Sequence, residues 1–232
     1  MNILNLTYEP SGKLLNAWLP HDLEAERVVF FPDACPGKAP LPTGTAVLTC
    51  QDDWRRFAVS DCGCGMRLLR SDQEAEELSE EGWTEVARQL KESKGGLGDL
   101  GGGNHFIDAL RSKATGQLHI LIHTGSRKQS GLVDDLVGQP RTFDAEFDRV
   151  VDWAARNRAA VQETVEGVLG ELDLILDLPH NTYEKRPEGG AVIRKGSAKV
   201  EPGDLNVIPA HVQDDVALVR ATDRVEDALC SL

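Results

Sequence analysis

Four short segments of the chain combine metal-ligating residue types with glycine or asparagine. They read D-C-G-C-G-M at Asp61 to Met66, G-G-G-N-H-F at Gly101 to Phe106, H-T-G-S-R at His123 to Arg127, and P-H-N at Pro179 to Asn181. Together they supply one carboxylate, one thiolate and three imidazoles, from Asp61, Cys64, His105, His123 and His180. Such a set suits the inner sphere of a transition metal. The joint pattern therefore predicts a metal site.

Each of these residues also has a purely structural interpretation. A single histidine at the end of a strand is more often hydrogen-bonded than bound to a metal, and a cysteine between glycines is usually just small and buried. The glycines at Gly101 to Gly103 can form a simple flexible turn. The metal prediction rests on the combination, because three of the six histidines fall in these segments. Cysteine with histidine favours zinc, and the added aspartate admits manganese, iron or cobalt.

Hydrophobic periodicity predicts the elements that must position these residues. Two amphipathic helices are expected, from about Ser71 to Glu92 and from about Phe143 to Leu169. Met1 to Asp22 is expected to form an edge strand and a loop. Short apolar runs ended by polar residues predict strands. These runs are Ala46 to Thr49, Met66 to Leu69, Leu118 to Ile122, Leu172 to Leu178, Asn206 to Ile208 and Val216 to Val219. His123 and His180 follow two of them, so we expect a mixed α and β (α+β) fold with metal ligands at strand ends.

Length and composition limit the class of protein. The 232 residues include 41% hydrophobic side chains, and no repeat or long linker divides them, so one domain over residues 1–232 is expected. No signal peptide or long apolar segment is visible, which predicts a cytoplasmic protein without a membrane span. The five cysteines are scattered and odd in number, which favours reduced thiols.

The charge distribution bears on nucleic-acid binding. A net charge of −13 argues against a broad nucleic-acid-binding face. Much of the acidity lies between Asp72 and Glu85, a stretch typical of a solvated helix face. A local basic groove stays compatible with the sequence. It would draw on Arg127, Lys128, Lys185, Arg186, Arg194, Lys195 and Lys199.

The four segments resemble motifs of the RtcB RNA ligase family. D-C-G-C-G-M is similar to that family's D-x-G-C-G-[MV], G-G-G-N-H-F-I to G-x-G-N-H-F-I-E, and H-T-G-S-R to H-[ST]-G-S-R. Further similarities, in the family's order, are F-F-P-D-A-C-P-G-K-A-P at Phe30 to Pro40, A-A-R-N-R at Ala154 to Arg158, P-H-N at Pro179 to Asn181 and R-K-G-S at Arg194 to Ser197. These seven ordered matches extend over nearly the whole chain.

The resemblance implies a ligase that joins an RNA 3′-phosphate or 2′,3′-cyclic phosphate end to a 5′-hydroxyl end, as in RNA repair and tRNA splicing. Its cofactors would be GTP and two Mn(II) ions, with Zn(II) as the other candidate metal. Carried over by position, Cys64 would bridge the two ions. Asp61 and His105 would complete one site, and His123 and His180 the other. The cysteine and the three histidines would be catalytic through these metals.

The resemblance also implies residues that bind the cofactor and the RNA ends. Asn104 would contact phosphate beside the metals, and Asn181 belongs to the same group. Arg127 and Lys195 would be phosphate partners, one through a forked guanidinium and the other as a point charge. The expected partners are therefore RNA ends and GTP.

The chain departs from the family's pattern in three places. The family's guanylylated histidine lies in S-H-G-A-G-R, which would follow E-D-A-L-C-S-L at Glu226 to Leu232. The guanylate-binding turn P-G-S-M is replaced by P-A-H-V at Pro209 to Val212, where His211 lacks the surroundings of a nucleophile, and Cys35 replaces a family histidine. We expect either a truncated ligase, completed by a second chain that supplies the missing segment, or a natural short form that kept the metals and lost the GTP chemistry.

Two other functions fit the residues. A metal-dependent phosphoesterase acting on RNA ends would need the metals and a water molecule but no guanylate. A non-catalytic module could bind RNA ends or a protein partner. A structural zinc protein is less well supported, because the CxxC-type pairs of closed zinc sites are missing.

Overall fold

A computed structural model describes residues 1–37, 39–210 and 214–232, and the side chain of Arg127 lies outside that description. The α-helices in these residues are α1 (Ser11–Trp18), α2 (Glu80–Glu92), α3 (Gly131–Asp134) and α4 (Pro140–Leu169). The strands are β1 (Asn2–Asn5), β2 (Ala25–Cys35), β3 (Thr43–Thr49), β4 (Gly65–Glu74), β5 (Phe106–Arg111), β6 (Gln117–Thr124), β7 (Leu172–Pro179), β8 (Asn181–Lys185), β9 (Ala191–Lys195), β10 (Leu205–Pro209) and β11 (Val216–Arg220). The mixed α+β fold class is confirmed.

A four-stranded antiparallel sheet, in the order β5-β6-β4-β7, forms the centre of the candidate site. Side chains alternate between its two faces, as strand geometry requires. One face packs against α2 and α4 through Leu69, Ile120 and Ile122. The opposite face carries Leu68 and Leu121 and packs against the β10–β11 hairpin. Both faces of this sheet are therefore covered.

A five-stranded sheet in the order β1-β2-β3-β9-β8 forms a second layer. Its core combines Phe30, Val47 and Ile193 of the strands with aromatic residues of the first half of α4. The second half of α4 packs on the four-stranded sheet instead. The 30-residue helix therefore contributes to both cores and fixes one relative to the other.

The predicted strands are confirmed, and most extend further than their apolar runs. The first predicted helix is wrong at its start. Residues up to Glu74 continue β4, where Ser71 pairs with Leu172 of β7, and α2 begins only at Glu80. The Ser79 side chain caps that helix by accepting a hydrogen bond from the Gly82 amide. Long-range strand pairing thus overrides the helical pattern at Ser71.

The start of the second predicted helix and the N-terminal segment also differ slightly from the prediction. α4 begins at Pro140, three residues before the predicted start, and proline is favoured in the first turn because it has no amide hydrogen to leave unpaired. The N-terminal edge strand is confirmed as β1, but the expected loop contains α1, whose Leu14 is fully buried. In the part of the chain that the structure describes, no helix is both long and apolar enough to cross a membrane. The cysteines are free thiols.

Candidate metal centre

The antiparallel order of the four-stranded sheet brings four of the predicted donors to one edge. Cys64 directly precedes β4 and His105 directly precedes β5. His123 is the last but one residue of β6, and His180 directly follows β7. Because neighbouring strands run in opposite directions, the starts of β4 and β5 lie beside the ends of β6 and β7. Residues that are far apart in the sequence therefore meet in space.

The strand register sets this convergence, and glycine permits it. Gly65 pairs with Thr124 of β6 on one side and with Pro179 of β7 on the other. A Cβ at Gly65 would lie 2.3 Å from the carbonyl oxygen of Leu178, so no side chain fits there. Gly63 adopts a φ of 72° and packs against the backbone of α4. Both glycines of the D-C-G-C-G segment are thus required by the close approach of other segments to Cys64.

The five predicted donors form two groups that share Cys64. One group contains Asp61, Cys64 and His105, and the other contains Cys64, His123 and His180. Within each group the ligand atoms lie within 4.8 Å of one another. The two groups contain the same residues as the two metal sites that the family resemblance implies, and their role as metal ligands stays a prediction.

The distances between donor atoms match those expected around a metal ion. The Cys64 Sγ lies 3.4 Å from the His105 Nε2 and 3.3 Å from the His123 Nε2. The Nε2 atoms of His123 and His180 are 3.2 Å apart, and the Nε2 of His105 is 3.6 Å from the Asp61 Oδ2. Two ligand atoms of a tetrahedral metal ion, at ordinary metal–nitrogen and metal–sulfur bond lengths, would be roughly 3.3–3.6 Å apart. The donor set therefore fits a bound metal in type and in spacing.

A backbone hydrogen bond orients the central histidine. The Nδ1 of His123 lies 2.9 Å from the carbonyl oxygen of Asn104. Since a carbonyl oxygen can only accept, Nδ1 carries the proton and donates it, which leaves the Nε2 lone pair directed at Cys64 and His180. Metal-binding histidines are commonly held in this way by an acceptor on the ring nitrogen remote from the metal. The same hydrogen bond links β6 to the loop that carries His105.

Burial keeps the imidazoles of His123 and His180 neutral. Burial lowers the pKa of His123 to about 4 and that of His180 to about 3. Burial opposes ionisation of Asp61, but hydrogen bonding and charge from His105 outweigh it and lower the Asp61 pKa to about 2. Burial, followed by the charge of Asp61, raises the pKa of the Cys64 thiol well above its usual value. At neutral pH the metal-free site thus combines neutral His123 and His180 with an ionised Asp61 and a protonated Cys64.

The turn that carries Asp61 has a strained backbone and is held by hydrogen bonds from two side chains outside the turn. Ser60 and Asp61 have φ values of 75° and 53°, a region that side chains other than glycine rarely occupy. The Lys195 Nζ donates to the Ser60 carbonyl over 2.6 Å, and the Asn181 Nδ2 donates to the Asp61 carbonyl over 2.9 Å. Lys195 and Asn181, both predicted to bind the cofactor, therefore contact the backbone of the metal-site turn. Their role toward phosphate stays a prediction.

Of the remaining predicted phosphate-binding residues, the structure describes the side chain of one and not that of the other. The side chain of Asn104 is exposed next to His105. Arg127 begins a 3₁₀ turn that ends at Ser130, but its side chain lies outside the described residues, as does all of His211. Cys35, which replaces a family histidine, is exposed at the end of β2.

Several residues of the predicted basic groove are paired with carboxylates. Lys185 contacts Asp144, Arg186 contacts Glu188, and Lys199 contacts Glu184. Arg194 is buried and donates to the Ser231 hydroxyl and to carbonyls of the last residues of the chain. The positive charge of these four residues is therefore largely used within the fold. Lys128 is exposed.

Two polar residues beneath the site were not identified as functional from the sequence. Asn157 and Arg158 lie on α4 and are fully buried. The sequence contains a signal for them, because they interrupt the apolar stripe of α4 formed by Val150, Ala154 and Val161. A polar side chain at a core position needs hydrogen-bond partners, and here those partners belong to the site.

Comparison with known proteins is consistent with the motif resemblance. No model of a known protein family matches the chain. The chain is 28% identical over 244 aligned positions to a curated protein from Escherichia coli named RNA-splicing ligase RtcB2. The aligned region covers 84% of this chain and 64% of that relative, so the chain spans less than two thirds of the relative's length. This similarity suggests an RtcB-like protein, and with the cysteine and histidine cluster it suggests metal binding.

Proposed function

We propose that the chain carries the two-metal centre of an RtcB-type RNA ligase, which joins an RNA 3′-phosphate or 2′,3′-cyclic phosphate end to a 5′-hydroxyl end with GTP and Mn(II). One observation carries the proposal: Cys64 belongs to both donor groups. A thiolate between two triads is an arrangement for two adjacent ions, whereas a structural zinc site is a closed set of four ligands. The similarity to an RNA-splicing ligase supports the choice of substrate.

The chemistry of the donors suits phosphate reactions at metal ions. Asp61 and His105 would hold one ion with Cys64, and His123 and His180 would hold the other. Bound there, the ions would act as Lewis acids that neutralise phosphate oxygens and orient the attacking group. The mixture of oxygen, nitrogen and sulfur ligands admits Mn(II) as well as Zn(II).

The protein's own groups would hold the phosphate beside this centre. The exposed Asn104 amide is adjacent to a proposed ligand, and its carbonyl already fixes the His123 ring. The Lys195 ammonium has three hydrogen-bond donors, of which Ser60 accepts one. We include GTP in the proposal, together with a guanylate-accepting histidine in an S-H-G-A-G-R segment, which residues 1–232 do not contain.

A ligation assay tests the proposal. The chain, together with a protein that supplies the S-H-G-A-G-R segment, would be incubated with Mn(II), GTP and two RNA strands, one ending in a 2′,3′-cyclic phosphate and the other beginning with a 5′-hydroxyl. The products would be separated on a denaturing gel. We expect a joined product that Cys64→Ala and His123→Ala each abolish. His119→Ala is the matched control, because His119 lies on the same strand but outside both donor groups.

Other results would reject ligation in favour of a different function. Opening of the cyclic phosphate without GTP, lost in His123→Ala, would identify a phosphoesterase. Tight binding of RNA ends without turnover under Mn(II) or Zn(II) would identify a binding module. An unchanged metal content in Cys64→Ala would show that the assigned site is wrong.

A further inference from the structure

Two adjacent buried residues of α4 hold the segments that carry the proposed ligands. Asn157 is 0% exposed and Arg158 is 1% exposed. Each is at a position where the helix otherwise presents apolar residues to the core. Burying an amide and a guanidinium is costly unless their polar atoms are paired. The hydrogen-bond partners of these two side chains therefore show which chain segments the helix holds in place.

Arg158 connects the backbone next to Cys64 with the backbone next to His123. Its Nη1 donates to the carbonyl of Gly63 over 2.9 Å and to the carbonyl of Thr124 over 3.3 Å. Gly63 directly precedes Cys64, and Thr124 directly follows His123. One planar group thus fixes the separation of two chain segments whose side chains meet at 3.3 Å.

Asn157 connects the loop before His105 with the segment after His123. Its Oδ1 accepts from the Gly98 amide over 2.8 Å. Its Nδ2 donates to the carbonyl of Asp99 over 3.0 Å and to the carbonyl of Gly125 over 3.3 Å. The side-chain amide therefore bridges two loops, one that leads to His105 and one that follows His123.

The charge of Arg158 is balanced by a carboxylate that belongs to neither donor group. Its Nε donates to one carboxylate oxygen of Asp177, and the Nη1 of Arg67 donates to the other over 2.7 Å. Arg67 also donates to Gln162. Arg67 and Arg158 therefore share one carboxylate, and of the two it is Arg158 that also donates to the carbonyls of Gly63 and Thr124. This difference provides a matched control.

We propose that Asn157 and Arg158 are positioning residues that set the spacing of the metal ligands by holding three loops on one helix. The inference rests on the proposed metal centre. Neither side chain needs to touch a metal or a substrate for this role. Replacement of a residue that orients metal ligands typically lowers metal affinity by about 10–100-fold.

Co(II) titration followed by absorption spectroscopy tests the role, because the thiolate-to-cobalt and d–d bands report ligand geometry independently of enzyme activity. We expect Arg158→Met to weaken Co(II) binding by about 10–100-fold and to shift these bands. Arg67→Met, which also leaves Asp177 with one arginine, should lower the melting temperature but keep the spectrum and affinity of the wild type. Asn157→Ala should weaken binding in the same direction as Arg158→Met.

A conservative variant covers the case in which Arg158→Met does not fold. Arg158→Lys keeps the positive charge for Asp177, but an ammonium cannot reproduce the fork that reaches Gly63 and Thr124 together with the carboxylate. We expect a folded protein with altered cobalt bands. Wild-type affinity and spectrum in Arg158→Lys, or equal losses in Arg158→Met and Arg67→Met, would overturn the positioning role.

The same series separates this inference from the proposed function. Wild-type protein that binds Co(II) but joins no RNA, even with the S-H-G-A-G-R segment supplied, would reject the ligase proposal. The comparison of the variants would still decide the role of Asn157 and Arg158. Wild-type protein that binds no Co(II) would reject the metal centre and the positioning role together.

Discussion

Metal binding at the proposed centre is expected to release one proton above pH 7.5. The proton comes from Cys64, because burial and the charge of Asp61 raise the pKa of its thiol well above the usual value, whereas a metal binds the thiolate. His123 and His180 contribute none, since burial has lowered their pKa values to about 4 and about 3. Asp61, with a pKa of about 2, is already ionised.

The magnitude follows from this proton count. Below the pKa of the thiol, release of one proton makes the binding constant rise about tenfold per pH unit, which is about 1.4 kcal/mol per unit. Cys64→Ser replaces the thiol by a hydroxyl that does not ionise in this range, so the pH dependence should disappear along with most of the affinity. Cys62→Ala is the control, because burial raises the Cys62 pKa to about 12 and its sulfur belongs to neither donor group.

Isothermal titration calorimetry gives the proton count directly. The apparent binding enthalpy would be measured between pH 7.5 and 8.5 in buffers of different ionisation enthalpy. A plot of the binding enthalpy against the buffer ionisation enthalpy is linear, and the magnitude of its slope equals the number of protons released. A slope of zero would refute the reasoning, because Cys64 would then be a thiolate before metal binding or no ligand at all. A slope of two or more would show that groups other than this thiol are protonated in the metal-free site.

Two further predictions concern the metal-free fold and the packing of the site. Because the folded-state pKa values of His123 and His180 lie below the unfolded value, the unfolded state binds more protons and stability falls as pH falls. The loss should be about 2 kcal/mol for the two together between pH 6.5 and 5.5, measured by urea denaturation against the double glutamine variant. Gly125→Ala would place a Cβ 2.9 Å from the Cβ of Cys64, so Mn(II) affinity should fall by about tenfold or more, whereas Gly131→Ala, with open space around its Cβ, should match wild type.

The strands and the position of the histidines were predictable because their signals are local. Apolar runs such as Leu118 to Ile122 predict a strand without reference to any other segment, and β6 contains that run. A histidine directly after such a run must lie near the end of the strand. The grouping of donors also followed from the motifs, but only through the family resemblance, since no local pattern says which strands are neighbours.

The start of α2 and the polar contacts of α4 were not predictable in this way. Ser71 belongs to β4 because it pairs with Leu172, which lies about a hundred residues further along the chain. Asn157 was visible in the sequence as a polar residue in an apolar stripe and as part of the A-A-R-N-R match, but neither signal identifies its hydrogen-bond partners. Its proposed positioning role depends on loops that the fold brings to it from before His105 and after His123. Both features depend on tertiary contacts, and hydrophobic periodicity along the sequence does not predict such contacts.

The arrangement of the sheet explains why metal binding and folding should be coupled. The donors from Cys64 to His180 are spread over much of the chain, so the unfolded chain cannot gather them, and a metal that binds the folded form stabilises it. The ligands sit on strand ends fixed by register, while Asp61 sits on a strained turn held by Lys195 and Asn181. Of the five donors, Asp61 thus depends most on side-chain hydrogen bonds and least on the sheet. The site should therefore loosen first at this turn, which the proposed phosphate partner Lys195 contacts directly.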